Sequence, residues 1–312
     1  MKYHRVDGKV VRLDEPTDPS RSLNLGTDME ADDTHAAAIT LLAVLEANPP
    51  DADDPLKRNL PFQPRSYRDF MLFESHYYGV AMGMSRAYLF PAYLAARAFV
   101  FLTGGLLRFP PFRPPKLWHS QAIFYQSNHL AFYADGAAIH YPRDCTYLDV
   151  ELELGVVLGG KGLYNAASPD EALAAVAGFC VFNDFSARNL QMAEMSSGFG
   201  PQHSKGFANS ISAAVVSADE VLHRYRLGVT INGQAVARPR PDNWQFSLGE
   251  ALMQLSRGTR LYPGEFFGSG TFPGGAGIEW SRFEVKVGDT VRLEIEGIGS
   301  VTNTIVAEEV VV

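Results

Sequence analysis

From about residue 120 to its end the chain is a run of short β-forming stretches punctuated by glycine and proline. This pattern constrains the fold more than any other feature of the sequence. Gly155 to Gly160 with its Val-Val-Leu run, Leu227 to Ile231, and Val285 to Val312 read as strands. Asn232-Gly233, set between two alternating stretches, reads as a two-residue hairpin turn. Two helices interrupt the β region, each with a capping-box pattern. Ser168-Pro169-Asp170-Glu171 opens an Ala-rich helix to Ala177, and Ser247-Leu248-Gly249-Glu250 opens one ending near Gly258. Strands do not alternate with long helices, and no glycine loop is placed to cradle a phosphate. A mixed, mostly β, α+β domain therefore fits better than a doubly wound sheet.

Residues 1–66 read as an N-terminal accessory region, and residues 67–312 as the main domain. Lys2 to Leu13 alternates around Asp7-Gly8 as a hairpin does. Asp32, Asp33 and Thr34 precede an apolar run from Ala36 to Leu45, which reads as a capped helix. The acidic residues Asp28, Glu30, Asp32 and Asp33, with His35, lack the glycine and terminal glutamate of a calcium loop and read as solvated helix-start charges. A proline-rich connector runs from Asn48 to Pro64. Residues 83–118 read as an apolar, proline-rich insertion. Its stretch 88–107 approaches the length of a membrane span, but Pro91, Arg97 and Gly104-Gly105 interrupt it, and Pro110, Pro111, Pro114 and Pro115 follow. A buried helix, an active-site cover or an oligomer interface is expected there, and membrane contact is not.

The chain has 312 residues, 46% hydrophobic and 20% charged, which is ordinary for a globular protein. A net charge of -8 argues against a nucleic-acid partner but leaves room for a small anionic substrate. Cys145 and Cys180 are too few for a disulfide framework and read as reduced thiols. The N-terminus shows no apolar h-region, and a cytoplasmic location is expected.

Chemistry concentrates at two places. In Asp149-Val150-Glu151-Leu152-Glu153-Leu154-Gly155 the period of a strand puts Glu151 and Glu153 on one face, about 7 Å apart. Two like charges so placed face water or share a cation, and hard cations prefer carboxylate oxygens. A solvated face is the competing reading, and Glu294-Ile295-Glu296 is taken as such a case. Further on, the apolar run Ala177 to Phe182 ends at Asn183-Asp184, which reads as a helix start. Arg188 and Gln191 would then lie on the same helical face as Asp184. By pattern alone this is equally a surface helix with an Asp-Arg pair.

The combination Asn183-Asp184-Phe185-Ser186-Ala187-Arg188-Asn189-Leu190-Gln191, with Asp149-x-Glu151-x-Glu153-Leu154 upstream, resembles the signature of the fumarylacetoacetate hydrolase family. The resemblance continues through Lys205-Gly206-Phe207, the Ile231-Asn232-Gly233 turn, Gly268-Ser269-Gly270-Thr271 to Glu279, Val287-Gly288-Asp289, Glu296 to Gly299, and Asn303. It covers roughly residues 120–308. It implies a mixed β-roll core, usually a homodimer, binding one Mg²⁺, Mn²⁺ or Ca²⁺ through Glu151, Glu153 and Asp184. It also implies that Arg188, Gln191 and Lys205 hold substrate oxygens, that Thr271 contacts the substrate carboxylate or oxo group, and that Tyr125 lines the pocket. The stretch Tyr67 to His76 is similar to the hydrolytic members, making Asp69 the fourth carboxylate ligand and His76 a general base oriented by Glu279.

The implied reaction is hydrolysis of a C–C bond in a 1,3-dicarbonyl or acylpyruvate-like substrate through a metal-bound enolate. The alternative is oxaloacetate decarboxylation or keto-enol isomerisation at the same site, and a non-catalytic binding protein is the third reading. Three departures stand out. Met71 occupies a position commonly tyrosine, Asn189 one where aspartate is frequent, and Arg86 has an unsettled match to a pocket arginine.

Overall fold

The computed structural model describes residues 1–6, 8–13, 34–219, 226–237, 239–241, 244–280 and 284–308. The expected helix cap at Asp32-Asp33, the acidic cluster from Asp28 and the side chain of His35 lie outside the described residues. The chain begins with β1 (Lys2–Val6), β2 (Lys9–Leu13), α1 (Thr34–Ala47), β3 (Ser66–Phe70), α2 (Glu74–Tyr88) and α3 (Phe90–Leu102). It continues with β4 (Phe124–Gln126), β5 (Phe132–Tyr133), β6 (Ala138–Tyr141), β7 (Leu148–Asp149), β8 (Leu152–Leu158), α4 (Pro169–Leu173), β9 (Val176–Asp184) and β10 (Ser186–Ala187). Next come α5 (Arg188–Ser197), α6 (His203–Gly206), β11 (Asn209–Ile211), β12 (Ala214–Ser217), β13 (Leu227–Ile231) and β14 (Gln234–Ala237). The last elements are α7 (Leu248–Ser256), β15 (Glu265–Gly268), α8 (Gly277–Trp280), β16 (Thr290–Ile295) and β17 (Gly299–Ala307).

The mostly β expectation is met. One sheet runs β2-β1-β12-β9-β8-β15-β3-β4, with β11 also on β9 and β5 on β11. A second sheet runs β14-β13-β16-β17-β6. The N-terminal hairpin joins the first sheet because β1 pairs antiparallel with β12. Strands β8 and β9 are buried along their whole length, as a strand covered on both faces must be. Their alternation divides the interior. Leu154, Val156, Leu158, Phe179 and Val181 face the side covered by Leu248 and Leu252 of α7. Val157, Cys180 and Phe182 face the side holding Tyr67, Phe132, Phe266 and Leu41 of α1. In the second sheet Val291, Leu293 and Ile295 turn inward while Arg292 and Glu294 stay exposed, so the second Glu-x-Glu is a solvent-side feature as read.

Several local expectations hold and several yield to tertiary pairing. Asn232 and Gly233 both have positive φ, as the hairpin turn requires. Ser247 and Glu250 complete a reciprocal capping box. Ser168 caps its helix through Glu171 N, but Glu171 accepts from Ala167 N rather than from Ser168. That helix stops at Leu173 instead of Ala177, because Val176 onward is claimed by pairing with β8. Asp184 is not a helix start. It ends β9, paired with Asn209 of β11, and the helix begins only at Arg188. The insertion helix α3 is not a buried helix, since Ala96 is its one buried residue.

An aromatic cluster lies behind the central strands. Phe266 contacts the rings of Phe62, Tyr67, Phe132 and Phe182 and is fully buried. Phe266→Ala is expected to destabilise the fold by about 3–5 kcal/mol, read as a shifted midpoint in denaturant unfolding followed by circular dichroism. A shift below about 1 kcal/mol would show that this cluster is not a stabilising core.

Candidate metal centre and active site

The start of β8, flanked by β9 on one side and β15 on the other, carries the site. Glu153 lies within β8, opposite Phe182, while Glu151 precedes the strand in an isolated bridge with Ala276. Asp69 comes from β3, which runs parallel to β15 with Gly268 opposite Asp69. Asp184 is the last residue of β9. Single oxygens of Asp69, Glu153 and Asp184 lie within 4.8 Å of one another, and all three residues are buried. Thus the three carboxylates come from three different strands.

Glu151 sits beside this trio rather than in it. Its Oε1 accepts from Arg188 Nη2 at 2.7 Å, and its Oε2 accepts from Lys205 Nζ. The same ammonium donates to Asp184 Oδ2, so Lys205 bridges Glu151 to the trio. Burial alone would raise the pKa of Glu151. Arg188, Lys205 and His76 override it and hold the carboxyl well below its usual range. Burial pushes Glu153 well up, reinforced by Asp69 and Asp184. Burial likewise raises Asp184 well above the usual range, with Lys205 opposing and Asp69 and Glu151 adding to the rise. Asp69 is raised by burial as well. Conversely, burial works against the Lys205 ammonium, but Asp184 and Glu151 more than offset it and raise its pKa.

These features suit a hard divalent cation. The donors are all carboxylate oxygens, their mutual repulsion is under-compensated, and Asp184 Oδ1 is buried without a hydrogen-bond partner. Backbone also closes on the trio. Gly270 N donates to Asp69 Oδ1 at 3.2 Å and to Glu153 Oε2 at 3.0 Å, and Thr271 Oγ1 donates to Glu153 Oε1 at 3.2 Å. Tyr125 donates to Asp184 Oδ2 at 2.6 Å and has the hydroxyl of Tyr67 3.0 Å away.

His76 stands near the start of α2, 2% exposed. Its Nδ1 is 3.3 Å from Glu279 Oε2 on α8, and its Nε2 is 3.7 Å from Glu151 Oε1. Gln191 accepts from Arg188 Nη1 through its Oε1 at 2.9 Å, which turns its amide nitrogen away from the guanidinium. Contact by contact, all eleven expected site residues join into one connected group. The three departures play other parts. Asn189 ties Thr146 N to Asp144 O, Arg86 donates to Ile278 O, and Met71 O accepts from Trp118 Nε1.

Asp149 and Tyr67 received no role from the sequence. Asp149 Oδ2 accepts from Arg188 Nε at 2.8 Å and Nη2 at 2.6 Å, and its carboxylate also accepts from Gly277 N and Ile278 N. It thereby anchors Arg188 and the helix carrying Glu279 to one another. The same period of two that paired Glu151 with Glu153 extends back to Asp149, and that was the available signal.

Comparisons with known proteins fit this geometry. Residues 104–306 match the family model described as fumarylacetoacetate hydrolase, C-terminal. A mitochondrial oxaloacetate tautomerase of Bos taurus is 31% identical over 167 residues, 53% of this chain and 52% of that protein. A provisionally assigned hydrolase of Burkholderia cenocepacia is 36% identical over 170 residues, 52% of this chain and 57% of that protein. The chain therefore spans about half the length of the curated relatives it matches. In fold it resembles a Mycobacterium smegmatis protein provisionally named HpcE, with TM-score 0.66 and 22% identity over 99% of this chain and 100% of that one. It also resembles the fumarylpyruvate hydrolase of Pseudomonas aeruginosa solved with Mn²⁺ and pyruvate, with TM-score 0.56 and 23% identity over 78% and 91% of the two chains.

Two outcomes are expected. Protonation of Glu153, Asp184 and Asp69 is favoured in the fold over the unfolded chain. Their contribution is thus present at low pH and lost as pH rises through their raised values. A bound cation needs them ionised. The increase in Tm on adding Mn²⁺ or Mg²⁺ should therefore grow with pH above the ordinary carboxylate range; a pH-independent increment argues against the trio. Second, a Cβ at Gly268 would lie 2.3 Å from Asp69 Oδ1 and 2.6 Å from Glu153 Oε2. Gly268→Ala should weaken Mn²⁺ binding by about tenfold or more in calorimetry.

Proposed function

Because the chain belongs to the fumarylacetoacetate hydrolase family, we propose that it is a divalent-metal-dependent hydrolase that cleaves a C–C bond of a 1,3-dicarbonyl, acylpyruvate-like acid. The observation that carries this reading is one juxtaposition. A buried oxygen trio from Asp69, Glu153 and Asp184 stands beside Glu151, which His76 approaches within 3.7 Å while Glu279 backs the imidazole from the other side. Mg²⁺, Mn²⁺ or Ca²⁺ would be held by the trio, with Glu151 as a further ligand if Lys205 yields it. Such a cation supplies Lewis-acid polarisation of two neighbouring substrate oxygens.

The chain's own groups account for the remaining needs. Glu279 Oε2, 3.3 Å from Nδ1 though not aligned for a hydrogen bond, is placed to orient the imidazole so that Nε2 can take a proton from a water molecule. The water oxygen bonds to the distal carbonyl carbon, and the C–C bond to the central carbon breaks. The electron pair stays with the oxo-acid fragment, and the proton on His76 is returned to that carbon. The products are a carboxylic acid and a 2-oxo acid. Arg188 and Lys205 place two positive charges beside the developing oxyanion, and the outward amide of Gln191 and the Thr271 hydroxyl orient substrate oxygens. Tyr125, locked onto Asp184, forms part of the wall. Residues 67–312 contain every one of these groups and form the proposed catalytic unit. Residues 1–66 are the proposed accessory region, and a homodimer is part of the same reading.

A second reading follows from the likeness to an oxaloacetate tautomerase. The same His76–Glu279 pair can move a proton between carbon and oxygen of an oxo acid with no attacking water. A panel of acylpyruvates, fumarylacetoacetate and oxaloacetate, assayed with Mg²⁺ and with EDTA, separates the two. The expected result is EDTA-sensitive release of a 2-oxo acid. Under the hydrolase reading His76→Ala should lower kcat by about 10²-fold or more and leave metal affinity within a few-fold. Undiminished turnover by that variant removes His76 as the base, and tautomerisation without cleavage favours the second reading.

A further inference from the structure

Helix α3 carries Arg97 as its one charged residue, yet the fold covers only one side of it. Ala92, Tyr93, Ala96, Phe99 and Val100 turn toward the protein, in whole or in part. The other side presents Phe90, Leu94, Phe101 and Leu102, and the turn that follows adds Leu106 and Leu107. Phe101, Leu102 and Leu106 are 84%, 81% and 87% exposed. An apolar face of this size is normally covered by a partner or a surface, so this one calls for a cover. Beside it a groove of about 550 Å³ opens between Tyr78 and Met82 of α2 and Arg97, Val100 and Phe101 of α3.

Charge distinguishes the candidate covers. Between Glu74 and Asp135 the sequence contains no acidic residue, while Arg86, Arg97, Arg108, Arg113 and Lys116 fall in that interval. The chain as a whole carries -8, so this is a basic region on an acidic protein. Arg86 is engaged with Ile278 O, and Arg108 with Glu74. Arg97, Arg113 and Lys116 are exposed. Arg97 folds back against the ring of Tyr93, its Nη1 3.4 Å from the hydroxyl, which leaves the stripe of Phe90, Leu94 and Phe101 unbroken. A two-fold contact with a second copy would bring these exposed cations toward their own kind, since Glu74 is already held by Arg108 and Glu284 lines a pocket with Arg86 at the Phe90 end. An anionic lipid surface meets both properties: phosphates take the cations and acyl chains take the leucines and phenylalanines. No described helix is long and apolar enough to cross a membrane, and α3 has only 13 residues. Contact would thus be in the plane of the surface.

We propose that the α3 face, from Phe90 through Leu107, docks the protein on the surface of an anionic lipid bilayer. The full chain is sedimented with vesicles of phosphatidylcholine alone and of phosphatidylcholine with phosphatidylglycerol, at low and high salt. Binding should require the anionic lipid and weaken with salt. Arg97→Glu and Arg113→Glu should each lower partitioning by about fivefold, and Phe101→Ser and Leu106→Ser by about tenfold each. All four positions are exposed, so thermal unfolding and turnover should stay unchanged. Absence of binding to anionic vesicles, or equal binding to neutral ones, overturns the proposal. So does a change of mass in light scattering on Phe101→Ser with Leu106→Ser, which would assign the face to a second copy.

Discussion

Removing a carboxylate from water costs several kcal/mol unless a counter-charge accompanies it, and this fold buries Asp69, Asp149, Glu151, Glu153 and Asp184 around one centre. Among the described residues, two buried cations, Arg188 and Lys205, stand with them. The distribution of those two is uneven. Arg188 is committed to Asp149 and Glu151, and Lys205 is shared between Glu151 and Asp184. Glu151 thus receives both positive charges and stays ionised, whereas Glu153 and Asp69 receive neither as a direct ion-pair partner and are pushed toward protonation. The imbalance is local, directional and suited to one divalent cation.

The rest of the architecture can be understood as what holds that imbalance in place. Antiparallel β8 and β9 bring Glu153 and Asp184 together, and parallel β3 against β15 brings Asp69 from far along the chain. Close approach demands glycine at two points. Gly268 leaves room for the carboxylates of Asp69 and Glu153, and Gly270, at φ +78, aims its N–H at both. Behind Glu153 the Tyr67–Phe132–Phe182–Phe266 cluster excludes water, which is also what raises the carboxylates. Asp149 supplies the remaining rigidity by joining Arg188 to the start of α8, and hence to Glu279 and His76.

The insertion that carries α3 obeys a different logic. It adds nothing to the carboxylate centre directly, although α2, which precedes it, supplies His76. Gly83 of α2 packs against Ile278, with no space for a side chain between them. The inner turn of the insertion is therefore fastened to the site and the outer one is left facing out. The face it leaves outward is apolar, with Phe101, Leu102 and Leu106 largely exposed.

Much of this was legible from residues in order. Period-two alternation exposed Glu151 and Glu153, turn chemistry exposed the Asn232-Gly233 hairpin, and helical spacing paired Arg188 with Gln191, though Asp184 belongs to β9 and not to their helix. These succeed because they depend on a few neighbours along one backbone. The same local reasoning erred where distant strands compete. Asn183-Asp184 reads as a helix start, but β8 and β11 take those residues into a sheet, and the Ala-rich helix yields Val176 and Ala177 to β9 for the same reason. Nothing local shows that Glu151 would be occupied by two cations while Glu153 is left with Asp69 and Asp184, nor that Asp149 would hold Arg188. The ion pairs of Glu151 and Asp149 with these cations span 37 to 54 positions of chain. The sequence by itself determined which groups are available and on which face of each element they stand. Only the tertiary structure decided which charges meet, because burial and distance, not order along the chain, set the energy of an ion.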